Sequence, residues 1–416
     1  MGSMPQLQAL RGTRDLLPED CRKFRHIEAI AINIAKLYGF EEIETPVLEP
    51  VAVFKRSLGD TSDIVSKQMY LFKDLSGDEI VLRPEGTAGV ARAFISEGLS
   101  QNIPLKLFYK GPMFRYERPQ KGRYRQFYQM GVELIGVEKS QADVELIALA
   151  SQVLKALNLN GSTILHLNTI GDAESRAAYR EKLVAYFNTR KAELCADSLE
   201  RLEKNPLRIL DSKDEGDRKV VADAPKLSGS LNENSRKFFQ EIQDGLTQLG
   251  IEFMIDPLLV RGLDYYCHTV FEFTTDALGS QNAVLAGGRY DGLISDLGGP
   301  KTPGVGWASG LDRLVLMMQE TPQAERPIAI IPLGDEAEKQ SMKLAQDLRQ
   351  AGLCVDLAYS GNMAKRMKRA DKLRARAAVI MGSDEIAKGV VMLKTLDTGE
   401  QREIKLSELM FELKRG

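Results

Sequence analysis

Apolar residues recur three and four positions apart over residues 18 to 38, at Phe24, Ile27, Ala31, Ile34, Ala35 and Tyr38, which predicts an amphipathic helix. Pro18 suits its first turn and Gly39 the position just past its end. The spacing then drops to the two-residue period of strands. Short strand patterns follow over 41–45, 69–72 and 80–82, the last two around the turn Ser76-Gly77-Asp78. A helix is expected over 87–97, stopped by Gly98, and further strands over 105–109, 113–117 and 126–135. Strands joined by hairpins rather than by crossover helices predict a mostly antiparallel sheet. From 172 to 248 the chain turns rich in Ala, Leu, Glu, Lys and Arg with no strand pattern, which reads as a helical insertion. Strand-like, glycine-rich sequence returns over 251–310, then a helix over 311–318 and a linker over 321–327. The last 90 or so residues alternate strand and helix, as expected of a small α/β domain with a parallel core.

Composition narrows the class. The 416 residues suit two or three domains. A net charge of −2 excludes a polycationic tail binder but leaves room for local basic patches. No apolar run has the length of a membrane helix, and residues 1–5 lack the pattern of a secretory leader, Gly2-Ser3-Met4 reading as a cloning remnant. The four cysteines are scattered without a CxxC pair, so neither a zinc site nor a disulfide framework is expected and a reducing cytoplasm fits.

Five segments carry candidate chemistry. From Lys110 to Arg125 there are six basic residues and one acid, with aromatics between the arginines, which suits phosphate pairing and base stacking better than a plain solvated hairpin tip. On the strand that follows, Tyr128, Met130, Val132 and Leu134 share one face, and Gln129, Gly131 and Glu133 the other, a polar floor with apparent space at the glycine. Arg83-Pro84-Glu85-Gly86-Thr87 opens a helix, where Glu85 or Thr87 could simply cap free N–H groups. Arg261 shares a loop with Tyr265 and Tyr266, and Ala286 to Gly292 offers glycines for close approach to a ligand. Gly304 to Arg313 is a glycine-punctuated strand running into a helix, with Arg313 in its first turn. None of these is a GxGxxG or P-loop pattern.

Taken together and in this order, the segments resemble the class II aminoacyl-tRNA synthetases, and among them the bacterial histidyl-tRNA synthetase family, across essentially the whole chain from Arg11-Gly12-Thr13-Arg14-Asp15 onward. Phe114-Arg115-Tyr116-Glu117-Arg118 is similar to motif 2, and Gly310-Leu311-Asp312-Arg313-Leu314 to motif 3. The helix before Gly39 with Thr45-Pro46 is similar to motif 1, and Leu259 to Tyr266 with Gly287 to Leu293 to the two histidine-specific motifs. Ala286, Tyr116, Tyr128 and Cys267-His268 depart from the family pattern without removing a charged group.

The resemblance implies an α/β fold overall: an α+β catalytic core over 4–170 and 251–322 with an antiparallel sheet flanked by helices, a helical insertion over 171–250, and an anticodon-binding α/β domain over 327–416. It implies ATP-dependent activation of L-histidine and transfer to tRNA(His), with ATP as substrate, Mg²⁺ on its phosphates, and a cytoplasmic homodimer formed through motif 1. Arg115, Arg261 and Arg313 would act on the phosphates. Glu85, Gly86, Thr87, Arg115, Gln129, Glu133, Arg261, Tyr265, Tyr266 and Tyr290 would bind histidine, with Glu133 and Tyr266 reading the imidazole. Glu117, Arg123 and Gln129 would join Arg115 and Arg313 on ATP. Arg118, Gln120 and Lys121 would meet tRNA, as would Lys365, Arg366 and Arg369 of the basic stretch 363–376, in which Met363, Met367, Ala370 and Leu373 are expected to face the core. The alternative is a histidine-binding regulatory subunit of ATP phosphoribosyltransferase, which generally lacks the motif residues and the C-terminal domain kept here.

Overall fold

The computed structural model describes residues 7–59, 62–279 and 282–415, so residues 1–5 and their reading lie outside the described part. Two compact units divide the chain, Met1–Pro322 and Gln323–Gly416. The first is built on an eight-stranded sheet, in the order Glu41–Glu42, Leu105–Phe114, Gln126–Ile135, Gly304–Gly310, Ala283–Arg289, Cys267–Thr274, Ile164–Thr169, Met254–Ile255. Only the two short edge strands pair in parallel. The long strands pair antiparallel, as their hairpin connections predict. Leu105–Phe114 is one strand where the sequence suggests two: its pairing runs through Gly111 and Pro112 without a break.

One sheet face is covered by three helices, Pro18–Leu37, Gln141–Ala156 and Glu233–Gln248. Met130, Val132 and Leu134 point into this layer with Phe24, Ile27, Leu146, Ile242, Leu246 and Trp307. The alternation of the strand therefore turns Gln129, Gly131 and Glu133 to the opposite face, where the site lies. The buried pair Arg289–Asp143 ties the sheet to the Gln141–Ala156 helix, with Arg289 also donating to the Val137 carbonyl. Arg289, in the glycine-rich segment, is thus fully buried structure rather than a ligand group.

The helical segment expected over 171–250 contains helices Ala173–Thr189, Ala196–Lys204, Glu215–Ala222 and Glu233–Gln248. It does not form a compact unit of its own. Its last helix belongs to the layer under the sheet, because Ile242 and Leu246 are buried there. The second unit has a five-stranded sheet, Val355–Leu357, Ile328–Pro332, Ala377–Met381, Val390–Thr395, Gln401–Lys405, with the first three parallel. Its two antiparallel strands continue past the expected parallel core.

Candidate active site

A cleft of about 190 Å³ opens on the sheet face opposite the helical layer. Among its lining residues are Glu85, Thr87, Arg115, Glu117, Arg123, Gln129, Arg261, Tyr265, Tyr266 and Arg313. Segments more than 200 residues apart in sequence thus meet in one place. Glu133 and Tyr290 lie directly behind this lining, linked to it through Thr87.

The acidic end is the most buried. Glu133 is 0% exposed; its carboxylate accepts from the Thr87 hydroxyl at 2.7 Å and from the Tyr290 hydroxyl at 2.5 Å. Burial pushes its pKa up to about 8, against the lowering pull of those two hydrogen bonds, and nearby Glu85 adds to the rise. Glu85 accepts from the backbone N–H of Thr87 at 2.7 Å and of Ala88 at 2.8 Å, so it does cap the Thr87–Ser96 helix. Burial nevertheless raises its pKa. The cap and the pocket use the same carboxylate, since two oxygens offer more lone pairs than two N–H groups consume. Tyr265 and Tyr266 pack with ring centroids 4.7 Å apart, and Tyr265 meets Tyr290 edge-on at 5.8 Å.

The space expected at Gly131 is filled by the protein itself. Tyr109, directly across the pair of strands, lays its ring there: a Cβ on Gly131 would fall 2.5 Å from the ring, and one on Gly86 only 2.1 Å. Gly86 is therefore a spacer for Tyr109. Tyr109 is 3% exposed, beside Thr87, and its hydroxyl makes no hydrogen bond of good geometry. Sequence reasoning missed this residue; the signal was its register opposite the lone glycine of the polar face. Gly306 is likewise needed by a side chain, since a Cβ there would overlap the Glu133 carboxylate at 1.8 Å.

Arg115, Arg123, Arg261 and Arg313 form the basic part of the lining. Arg115 donates to the Pro84 carbonyl at 2.8 Å and lies over the Phe127 ring at 5.3 Å. Arg123 pairs with Glu117 at 2.6 Å, and Arg313 donates to the Ala283 carbonyl at 2.5 Å. Arg261 pairs with Glu272, a second residue the sequence reading did not single out. Burial lowers the pKa of both Arg115 and Arg313, and neighbouring arginines add to this. Cations crowded in this way favour an anionic occupant. The amide oxygen of Gln129, which also lines the cleft, is buried without a hydrogen-bond partner. Arg118, Gln120 and Lys121 are exposed on the loop that carries Arg123 and are not brought into the cleft.

Comparison with known proteins decides the family. A family model described as Histidyl-tRNA synthetase matches residues 12–314, and one described as Anticodon binding domain matches 327–415. The chain belongs to the histidyl-tRNA synthetase family. It is 61% identical over 407 residues to the histidine–tRNA ligase of Rhodospirillum rubrum, covering 98% of each chain. It is 52% identical to that of Gluconacetobacter diazotrophicus over 97% of each. The crystal structure of apo histidyl-tRNA synthetase from S. aureus superposes with a TM-score of 0.83 at 35% identity, covering 98% of this chain and 99% of that one. Family membership over both units favours the synthetase over the regulatory-subunit alternative.

In the second unit the basic helix is Met363–Lys372, shorter than the 363–376 stretch. Arg366 corrects the expectation of an outward cation: it is 6% exposed, donates to the Pro332 carbonyl and pairs with Glu338 at 2.6 Å. Ala370 fills the core, whereas Met363 and Leu373, expected inward, are exposed. The helix turns its Arg366–Ala370 line inward because a long guanidinium satisfies a strand-end carbonyl that a methionine cannot. Lys365 and Lys368 are exposed and form no salt bridge among the described residues. Arg369 is exposed but forked onto Asp356 at 2.8 and 2.9 Å.

Proposed function

We propose that the chain is a histidine–tRNA ligase whose two reactions run in the cleft between the buried Glu133 and the arginines. In the first, a histidine carboxylate oxygen bonds to the α-phosphorus of ATP, the bond to the β-phosphate oxygen breaks, and pyrophosphate leaves. In the second, a terminal ribose hydroxyl of tRNA(His) takes the histidyl carbonyl and AMP leaves. The single observation that carries this reading is Glu133: a wholly buried carboxylate that accepts from Thr87 and Tyr290 behind a cleft lined by Arg115, Arg123, Arg261 and Arg313.

An imidazole has one donor and one acceptor nitrogen, which a carboxylate and a phenol match. Glu133 still has lone pairs beyond those used by Thr87 and Tyr290, and Tyr266 at the cleft wall supplies the second partner. Such a site rejects analogues without those nitrogens by about 10⁴. Glu85, Thr87 and the unpartnered Gln129 oxygen form an acceptor set that suits the substrate ammonium. Arg115 and Arg261 would neutralise charge at the α-phosphate and Arg313 at the outer phosphates, with Glu117 and Arg123 toward the nucleotide. Mg²⁺ would be carried on the triphosphate and would supply charge neutralisation there, since no group of three or more His, Cys, Asp or Glu among the described residues is placed to hold a metal by itself.

Lys365 and its exposed neighbours would meet the anticodon arm, and Arg118, Gln120 and Lys121 the acceptor end. Motif 1 would form a homodimer, for which the exposed Leu37, Leu48, Leu71 and Phe72 offer apolar surface. No helix of the described residues is long and apolar enough to cross a membrane, and the four cysteines are unpaired; we place the enzyme in the cytoplasm. The test is ATP–pyrophosphate exchange measured with each amino acid in turn. Exchange that depends on histidine alone is the expected result; exchange with none, or with another amino acid, removes the reading.

A further inference from the structure

The segment Arg11–Leu17, which has no regular secondary structure, lies against the motif 2 loop and the start of the motif 3 helix. Three contacts hold it there. The Arg125 N–H donates to the Gly12 carbonyl at 2.7 Å. Gly12 has φ +88°, and a Cβ there would fall 2.8 Å from the Arg125 side chain. The third contact is Arg14, whose guanidinium donates to Asp312 Oδ1 at 3.0 Å and lies 4.8 Å above the Tyr124 ring. Its other arm is 3.5 Å from Asp20, and its Nε is buried without a partner.

Asp312 makes this contact more than an anchor. It is 4% exposed, and its second oxygen accepts from the Tyr128 N–H at 2.9 Å. One carboxylate thus joins the helix that carries Arg313 to the strand that carries Gln129, and Arg14 both aligns it and balances its charge. Tyr124, under the Arg14 guanidinium, neighbours Arg123 in sequence, and both line the cleft. A strap serving only stability could be pinned by apolar side chains such as Leu16, which packs on the helical layer. A planar fork directed at one buried acid and one cleft-wall ring fixes orientation as well.

We propose that Arg14 is a positioning residue for the nucleotide half of the reaction. Through Asp312 it sets the start of the Arg313 helix, and through Tyr124 it sets the loop that bears Arg123. It also cancels a negative charge that would otherwise sit beside the bound triphosphate. This rests on the reading of the cleft as the ATP and histidine site.

The test is steady-state ATP–pyrophosphate exchange by the full chain with wild type, Arg14→Met, Arg14→Lys and the double variant Arg14→Met/Asp312→Asn, with histidine affinity by calorimetry and thermal unfolding in parallel. Methionine keeps the apolar stem and removes the fork. We expect KM for ATP to rise about tenfold, the size of one charge-assisted hydrogen bond. Histidine affinity should stay within about twofold, because Asp312 keeps its bond to Tyr128. Lysine should restore part of the loss by charge without the stacking geometry. Asparagine at 312 keeps an acceptor for Tyr128 and removes the unbalanced charge, so the double variant should bind ATP better than Arg14→Met alone. An unchanged KM for ATP in Arg14→Met overturns the proposal, whatever the change in unfolding temperature. So does a parallel loss for ATP and histidine, which marks a structural strap. Wild type without histidine-dependent exchange removes the reading of the cleft itself, and the proposal falls with it.

Discussion

Two buried oxygens behind the cleft lead to opposite expectations. The Tyr109 hydroxyl is buried beside Thr87 without a hydrogen bond of good geometry, an arrangement that costs stability and is retained where a bound state supplies a better partner. Tyr109→Phe should therefore unfold at the same temperature as wild type or higher, yet bind histidine about tenfold more weakly (~1.4 kcal/mol) once Thr87 and Glu133 rearrange around the ligand. Calorimetric titration of both proteins checks this, and equal histidine affinity would reduce Tyr109 to a filler of the gap over Gly131. For Glu133 the expectation concerns pH. The folded protein holds this proton up to about 8, whereas the unfolded chain releases it in the ordinary carboxylate range. The folded state binds more protons between those limits, so the stability tied to this group is complete at acid pH and is lost as pH rises through about 8. Glutamine cannot ionise. The unfolding temperature of wild type minus that of Glu133→Gln should fall steadily from pH 5.5 to pH 8, where only the wild type has a proton to lose at this position. A difference that is flat or grows with pH contradicts the burial argument. The charged and aromatic members of this site were legible because their types and order match a family. Tyr109 was not, because a tyrosine inside an apolar strand reads as core, and only the register opposite Gly131 shows what the glycine is for.

At the scale of elements, periodicity located the long helix at Pro18–Leu37 and the strand at Gln126–Ile135, whose two faces meet different environments. It failed where tertiary contacts override local pattern. Gly111-Pro112 looks like a break, yet strand pairing continues through it because the neighbouring strand supplies the register. The helix Met363–Lys372 is the clearest case, since a sequence of alternating cations and methionines does not say which side chains turn inward. Arg366 does, with two hydrogen-bonded partners, while Lys365 and Lys368 stay out. The cations of one helix should therefore separate by phenotype. Arg366→Ala should destabilise the second unit by about 2 kcal/mol, because it strands the Pro332 carbonyl and removes a charge-assisted bond. Lys365→Ala/Lys368→Ala should leave thermal unfolding unchanged, weaken tRNA binding, and flatten its dependence on log salt by about one to two units of slope. Filter binding across a salt series, together with thermal melts, distinguishes the two. Normal tRNA affinity of the lysine pair at every salt concentration would mean the anticodon arm contacts another face.

The whole molecule keeps its chemistry and its expected anticodon contacts on separate cores. The apolar clusters around the large sheet draw only on residues before Pro322, and those around the five-stranded sheet only on residues after Gln323. Charge divides the same way: from residue 323 onward there are 17 Lys and Arg against 14 Asp and Glu, net +3 in a chain of net −2, which leaves −5 on the rest. A positive unit attached to a negative one favours a polyanion at one end without making the catalytic unit a general nucleic-acid binder. The cleft, Arg14 with its partners and the helical layer under the sheet all lie within the first unit. Among the described residues, those that line the cleft and fill the cores of the first unit all precede Pro322, so a fragment ending there should fold and catalyse histidine-dependent ATP–pyrophosphate exchange at a rate within about tenfold of the full chain. Its transfer of histidine to tRNA should fall much further, through KM for tRNA, because the cationic unit proposed to hold the anticodon arm is gone. Measuring exchange and charging on the same fragment checks this. A fragment that folds and loses both activities together would show that the second unit takes part in activation itself, and one that charges tRNA with an unchanged KM would show that the acceptor end alone supplies the affinity.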